Sequence, residues 1–361
     1  KDQLPNGGTI GYDPWLHPLA QIEELTAALE GSGIQLKQCR NLVDAIWEDQ
    51  PAPPMEPVCS HPLDYAGESA QDKCNRLAAD LKRAGQSAAL ITLPDSLMWL
   101  LNMRGQDIPR NPVAHGFAIL HDDARIDLFM AAAKLDSYDG PLPEGFTRHD
   151  PERFLQAVSA LNGQVAVDAG SLPQILADAL GDRLVKAADP CALPKARKND
   201  AEIAGAAAAH LRDGAAVIEL LAWLDQQPPG TVSEIQVARR LEELRLRDPA
   251  LRDISFETIA GTGENGAVMH YRVTEETDSL LKEGQLLVLD SGGQYLDGTT
   301  DITRTIAIGP PPAEAVAAFT RVLQGMIAIS RLRWPRGLCC RELDALARYP
   351  LWLAGQDYDH G

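Results

Sequence analysis

No stretch of the 361 residues approaches 18 consecutive apolar positions. The chain is therefore expected neither to span a membrane nor, lacking a basic segment followed by an apolar core, to open with a signal peptide. Cysteine is sparse and poorly spaced for chemistry: Cys39, Cys59, Cys74, Cys191, Cys339 and Cys340 form no C-x-x-C pair, and two of them are adjacent. That spacing argues against a disulfide framework and against a structural zinc site, and leaves reduced thiols in a cytosolic setting as the expectation. Positive charge is also short. Lys and Arg number 33 against 51 Asp and Glu, a net charge of -18. Such a field repels phosphate backbones and anionic lipid headgroups, so neither nucleic acid nor a membrane is an expected partner.

What is present is an ordinary globular composition, 45% apolar and 23% charged, in a chain long enough for two or three domains. The ends suggest a longer polypeptide. Lys1 stands where a Met would open a reading frame, and Asp357-Tyr358-Asp359-His360-Gly361 follows a helical pattern where another element should begin.

Proline and glycine mark the organisation. Four prolines lie between 51 and 57, too many for a helix or a central strand, so residues 51–62 read as an extended linker. Before it, residues 1–50 hold a strand-like Thr9-Ile10-Gly11-Tyr12 and an amphipathic helix near 18–30, too little for a core of its own and suited to the tail of a larger domain. Residues 63–196 alternate helical patterns (67–84, 151–161, 171–180) with strand patterns (88–93, 116–121, 125–130, 164–167), as a mixed α/β domain does. Asn199 and Glu202 then form a capping-box signature for a helix over 200–226, whose apolar positions Ile203, Ala207, Leu211, Ala215 and Ile218 recur at three and four. Thr231 and Glu234 are read as the cap of a second helix reaching about 248. Strands are expected near 252–260, 267–273, 285–291 and 299–308, and helices near 312–332 and 341–354. The fold class is thus α/β (α+β), with residues 197–361 as a further domain.

The chemistry concentrates in one hairpin. An apolar strand ends at Asp290, Asp297-Gly298 is a turn signal, and the return strand carries Asp301 among β-branched residues. Two buried aspartates on one hairpin repel each other unless a divalent metal neutralises both. Carboxylate oxygens suit such ions, and two metals sharing carboxylates activate water. Spacing alone raises an objection. A turn centred on 297 and 298 sets Asp301 opposite Gln294 and leaves Asp290 four residues away, about 13 Å at roughly 3.3 Å per residue. Unless the Gly292-Gly293 pair bends the strand or the register differs, the aspartates simply cap turns. Elsewhere, Gly261-Thr262-Gly263-Glu264-Asn265-Gly266 fits a dinucleotide fingerprint, but Val268 to Val273 alternates like a strand instead of opening a helix. His270 on its own reads as a satisfied strand histidine, and His210 as a structural helix residue.

The run Asp290-Ser291-Gly292-Gly293-Gln294-Tyr295 with Asp297-Gly298-Thr299-Thr300-Asp301-Ile302-Thr303-Arg304-Thr305 closely resembles the first metal-binding stretch of the Xaa-Pro aminopeptidases, the aminopeptidase P family of pita-bread metallopeptidases. Phe256-Glu257-Thr258-Ile259 and the segment Asn265 to Arg272 are similar to the family's substrate-side histidine region. Gly11-Tyr12-Asp13-Pro14-Trp15, Pro94-Asp95-Ser96 and Asn102-Met103-Arg104-Gly105 resemble its long three-domain cytosolic branch. The resemblance covers essentially the whole chain. It implies a creatinase-like mixed α/β middle domain followed by an incomplete pita-bread catalytic domain. It implies two divalent metal ions, usually Mn2+, held by two aspartates, one histidine and two glutamates, with Asp290 and Asp301 as the two aspartates and the other three ligands beyond Gly361. His270 would by resemblance hydrogen-bond the substrate, and His360 would lie near the proline side of the scissile bond. The implied activity is hydrolysis of the N-terminal Xaa-Pro bond by the complete protein, which the family often performs as a homodimer, with this chain inactive alone. A non-catalytic peptide-binding module on the same fold and a prolidase or creatinase are the alternatives.

Overall fold

The computed structural model describes residues 2–359, and the chain divides into two compact units, Lys1–Ala207 and Ala208–Gly361, with the boundary inside one long helix. In the first unit β1 (Gly8–Tyr12) and β2 (Ile34–Gln38) pair in parallel through the connecting helix α1 (Leu19–Leu29). Residues 50–58 carry no regular element, as their prolines require. A short pair of strands, β3 (Cys59–Ser60) and β5 (Met103–Arg104), brackets α2 (Leu63–Ala66), α3 (Ala70–Arg83), β4 (Ala88–Ile91) and α4 (Pro94–Leu101). Then follow β6 (Phe117–His121), β7 (Ile126–Phe129), β8 (Phe146–His149), α5 (Phe154–Ala160), β9 (Val165–Val167), α6 (Gln174–Leu180), β10 (Leu184–Lys186) and α7 (Ala192–Ala196).

Six of these strands make one mixed sheet in the order β10-β9-β4-β6-β7-β8. Its central strand β4, Ala-Ala-Leu-Ile, is buried at every position, the continuous apolar run that a strand covered on both faces needs. Helix α3 begins at Ser69, whose hydroxyl accepts the Asp72 N–H at 3.1 Å, and buries Cys74, Leu77, Ala78 and Leu81 at helical spacing. Helix α4 was not expected. Its residues Ser96 to Leu101 are all buried, so no polar face marks the helical period. Lys73 is buried with them, its Nζ donating to the Trp99 carbonyl at 2.8 Å and to Asn102 Oδ1 at 2.6 Å.

The second unit takes in most of α8 (Asp200–Leu224), whose start carries the expected capping box: Asn199 N–H donates to Glu202 Oε2 and Glu202 N–H to Asn199 Oδ1, both at 2.9 Å. The buried face differs from the expected stripe. Ile203, Leu211 and Ile218 are exposed, while Ala209, Asp213, Val217, Leu220 and Leu224 are buried, because a helix apolar all round offers more than one stripe. Helix α9 (Glu234–Arg245) is capped by Ser233 with Gln236, not by Thr231 with Glu234. Thr231 instead donates to the Pro228 carbonyl, and Glu234 turns inward.

Antiparallel strands β12 (Ile259–Thr262), β13 (Leu286–Ser291) and β15 (Ile302–Ala307) form a three-stranded sheet in that order, and β11 (Leu251–Ile254) pairs with β14 (Gly293–Tyr295). Ala260, Leu287 and Leu289 meet Val217, Leu220, Val237 and Leu241 in one core. Helices α10 (Ala313–Arg331) and α11 (Asp344–Trp352) close the unit. The strand expected at 267–273 is absent. A 3-10 turn over Gly263–Ala267 leads into further turns, because the side chains of Asn265 and Tyr271 are drawn to Glu234 instead of alternating across a sheet. The dinucleotide spacing thus ends in a five-residue 3-10 turn.

Candidate metal centre

Strands β13 and β15 carry the two aspartates, and their register decides whether the carboxylates meet. Asp290 lies opposite Thr303 and Ser291 opposite Ile302. The same register continues outward: the Thr300 N–H donates to the Gly293 carbonyl, Gln294 bridges to Thr299, and the Tyr295 N–H donates to the Gly298 carbonyl at 2.8 Å. The turn is therefore centred on Leu296 and Asp297, one residue earlier than Asp297-Gly298 predicts. That single step moves Asp301 from opposite Gln294 to the diagonal of Asp290 on the same face, where cross-strand side chains are within reach of each other. The objection of about 13 Å at roughly 3.3 Å per residue no longer applies.

Glycine makes this approach feasible. A Cβ on Gly292 would stand 1.9 Å from the Thr300 carbonyl oxygen and 2.3 Å from Ser255 Oγ. The Gly292 carbonyl in turn accepts from the Ser255 N–H at 3.0 Å.

Asp290 is half-buried and Asp301 exposed, so the pair faces an open side and not the core the sequence suggested. Thr303 Oγ1 donates to Asp290 Oδ1 at 2.8 Å, on the neighbouring strand. Partial desolvation, then the charge of Asp290, then a hydrogen bond with the Asp290 carboxyl hold the Asp301 carboxyl above its ordinary range. His210, exposed on α8, acts on Asp301 in the opposite direction. Two carboxyls in contact, one reluctant to ionise, are a donor set that a divalent cation relieves.

The remaining residues singled out by sequence fall elsewhere. His270 lies exposed in the turn after the 3-10 segment, and His360 lies outside the described residues. Among the described residues no group of three or more His, Cys, Asp or Glu side chains is placed to hold a metal ion. No helix among them is long and apolar enough to cross a membrane, and the six cysteines are free. Thr303 and the buried pair Asp213 and Arg245 were not foreseen, and His210, read as a structural helix residue, acts on the charge of Asp301. The alternation of Thr303 with Asp301 along one strand was the available signal for the first of these.

Comparison with known proteins agrees with this geometry. Residues 49–202 match the creatinase/prolidase N-terminal domain, and residues 204–361 match metallopeptidase family M24. Residues 204–361 belong to metallopeptidase family M24. The M24 part and its creatinase-like companion are 37% identical over 378 residues to a probable Xaa-Pro aminopeptidase P of Aspergillus niger, covering 100% of this chain and 61% of the relative. A probable Xaa-Pro aminopeptidase P of Laccaria bicolor is 39% identical, with 98% of this chain and 56% of the relative covered. Among solved structures, the X-prolyl aminopeptidase of Caenorhabditis elegans, described as a cytosolic enzyme with a di-nuclear active site, superposes with a TM-score of 0.91 at 31% identity over 100% of this chain and 61% of that one. The chain thus spans about three fifths of the length of the proteins it is similar to. Its fold is that of a creatinase-like unit with a pita-bread unit, as expected from the sequence.

Proposed function

We propose that this chain supplies part of the active site of a metal-dependent aminopeptidase that hydrolyses the bond between an N-terminal residue and a following proline. One observation carries the reading: Asp290 and Asp301, on neighbouring strands, bring their carboxyls into contact on an open face. The residues fit a shared divalent cation in part, because two carboxylates are fewer ligands than a hydrolytic two-metal site uses. Asp290 and Asp301 would hold the ions, manganese by resemblance, and further ligands would have to join them. Ions so held supply an activated water and polarise the scissile carbonyl. The protein's own share is positional. Thr303 fixes one Asp290 oxygen by donating to it, which orients the carboxylate on its strand. His270, exposed beside the buried Tyr271, would by the same resemblance donate to the peptide. A proline nitrogen carries no hydrogen, so a site shaped for a tertiary amide need not supply an acceptor there. The cytosolic description of the worm enzyme and six free thiols support a reducing compartment.

The non-catalytic alternative is less well supported, since a binding module has no use for two touching acids. Calorimetric titration of the 361-residue chain with manganese should show only binding weaker than micromolar, abolished by Asp290→Asn. A version extended to the relatives' full length should cleave a tripeptide with proline second when manganese is added. Manganese binding that ignores Asp290→Asn, or an extended protein that loads manganese yet leaves such peptides intact, would sink the proposal.

A further inference from the structure

The hairpin that bears the aspartates is a poor specifier of its own register. Ser291 to Thr300 contains glycine at 292, 293 and 298, and glycine-rich strands slip readily. Its best local turn signal, Asp297-Gly298, favours the register two residues out from the one observed. Something outside the hairpin must select the register.

Beneath it lies a charged pair with no exposure at all. Asp213 on α8 accepts from Arg245 at the end of α9, at 2.5 Å from Nε and 3.1 Å from Nη2. The same carboxylate accepts from the Tyr295 hydroxyl at 3.2 Å and from Thr300 Oγ1, while Arg245 Nη2 reaches Ser291 Oγ at 3.0 Å. Thr300 Oγ1 in turn accepts the buried N–H of Gly293 at 2.8 Å. The pair therefore grips both arms of the hairpin at once. A slip to the Asp297-Gly298 turn would carry Thr300 two residues along its partner, about 7 Å at roughly 3.3 Å per residue, and would strand the Gly293 N–H. A buried ion pair adds little net stability over apolar residues of the same volume, and Arg245 Nη1 is left without a hydrogen bond. Stability alone does not account for it.

We propose that Asp213 and Arg245 are positioning residues that select the hairpin register through Thr300 and Ser291, and so set Asp290 and Asp301 on one diagonal. The functional weight of this rests on reading that pair as metal ligands; the register itself is tested without metal. Cysteines introduced by Gln294→Cys and Thr299→Cys face each other in the observed register and should form a disulfide on mild oxidation, mapped by mass spectrometry. Adding Thr300→Val should cut its yield at least tenfold, and Thr300→Ser should not. Gly298 has no positive φ, yet the competing turn demands one. Gly298→Ala should therefore restore the cross-link in the Thr300→Val background, a rescue that loss of general stability does not predict. Hydrogen exchange in β12 should stay within about twofold throughout. Unchanged cross-linking in Thr300→Val, failure of the Gly298→Ala rescue, or exchange accelerated equally in β12 would overturn the inference, whereas failure to bind manganese would overturn only the metal reading.

Discussion

Replacing Lys73 by methionine should flatten the alkaline rise in stability of the first unit. The Lys73 ammonium is buried against the Trp99 ring, 4.3 Å from its centroid, and donates to the Trp99 carbonyl and to Asn102 Oδ1. Burial outweighs the nearby Glu68 and Glu202 carboxylates and lowers its pKa from 10.5 to about 8. A base whose folded pKa is depressed penalises the fold while it is protonated. Below pH 8 both states carry the proton and the penalty is complete; between 8 and 10.5 the folded state loses its proton first, and stability rises with pH. Integrating that difference gives ~2–3 kcal/mol between pH 7 and pH 10 from this one group. Thiols work the other way. Burial raises Cys74 to about 12, so its contribution falls as the unfolded chain ionises. The Lys73 charge draws the Cys74 and Cys191 thiols down only against a larger burial effect, so they stay protonated in the fold up to pH 10 with or without it, and the difference between the urea-unfolding free energies of wild type and Lys73→Met reports chiefly the lysine. The gap should shift by ~2–3 kcal/mol in favour of wild type as pH rises from 7 to 10. A gap that stays constant across that range would show that Lys73 keeps an ordinary pKa and that its three contacts fully replace water.

Two further substitutions test the second unit. Gly292→Ala places a methyl group against the Thr300 carbonyl and should cost more than the ~1–3 kcal/mol typical of overpacking, read as a lower denaturant midpoint at unchanged slope. Ser233→Ala removes the acceptor of the α9 capping box, which holds the Gln236 N–H, and should cost ~1 kcal/mol with manganese binding unaltered.

Much of the architecture follows from periodicity and punctuation. The helices α3, α8 and α10 and the strands β4, β6, β7, β9 and β13 lie where apolar spacing places them, because each presents one face or one run to a core. Helix α4 does not, since burial on all sides erases the helical period. Strands β2, β8 and β10 are short pieces whose place comes from pairing with partners distant in sequence. At the site, residue identity pointed to Asp290 and Asp301, but local turn chemistry mispredicted how they meet. Asp213 and Arg245, more than 40 residues upstream of the hairpin turn, carry the deciding contacts, and nothing in the ten hairpin residues reveals them. The position of His270 was misread for a similar reason. Its neighbours Asn265 and Tyr271 serve a carboxylate in another element, and that demand outweighs an alternating pattern.

That carboxylate, Glu234, has a consequence for motion. Fully buried at the first turn of α9, it accepts from the N–H of Thr262 at 2.6 Å, the Asn265 amide at 3.0 Å, the Tyr271 hydroxyl at 2.9 Å and the N–H of Ser279 at 3.3 Å. A loop that opens must first abandon its anchors, and here any partial opening strands a dehydrated charge. The stretch from Thr262 to Ser279, His270 included, is therefore tied to the start of α9 and the end of β12 as one cooperative foldon, and its amides should exchange at a common rate set by the release of a single side chain.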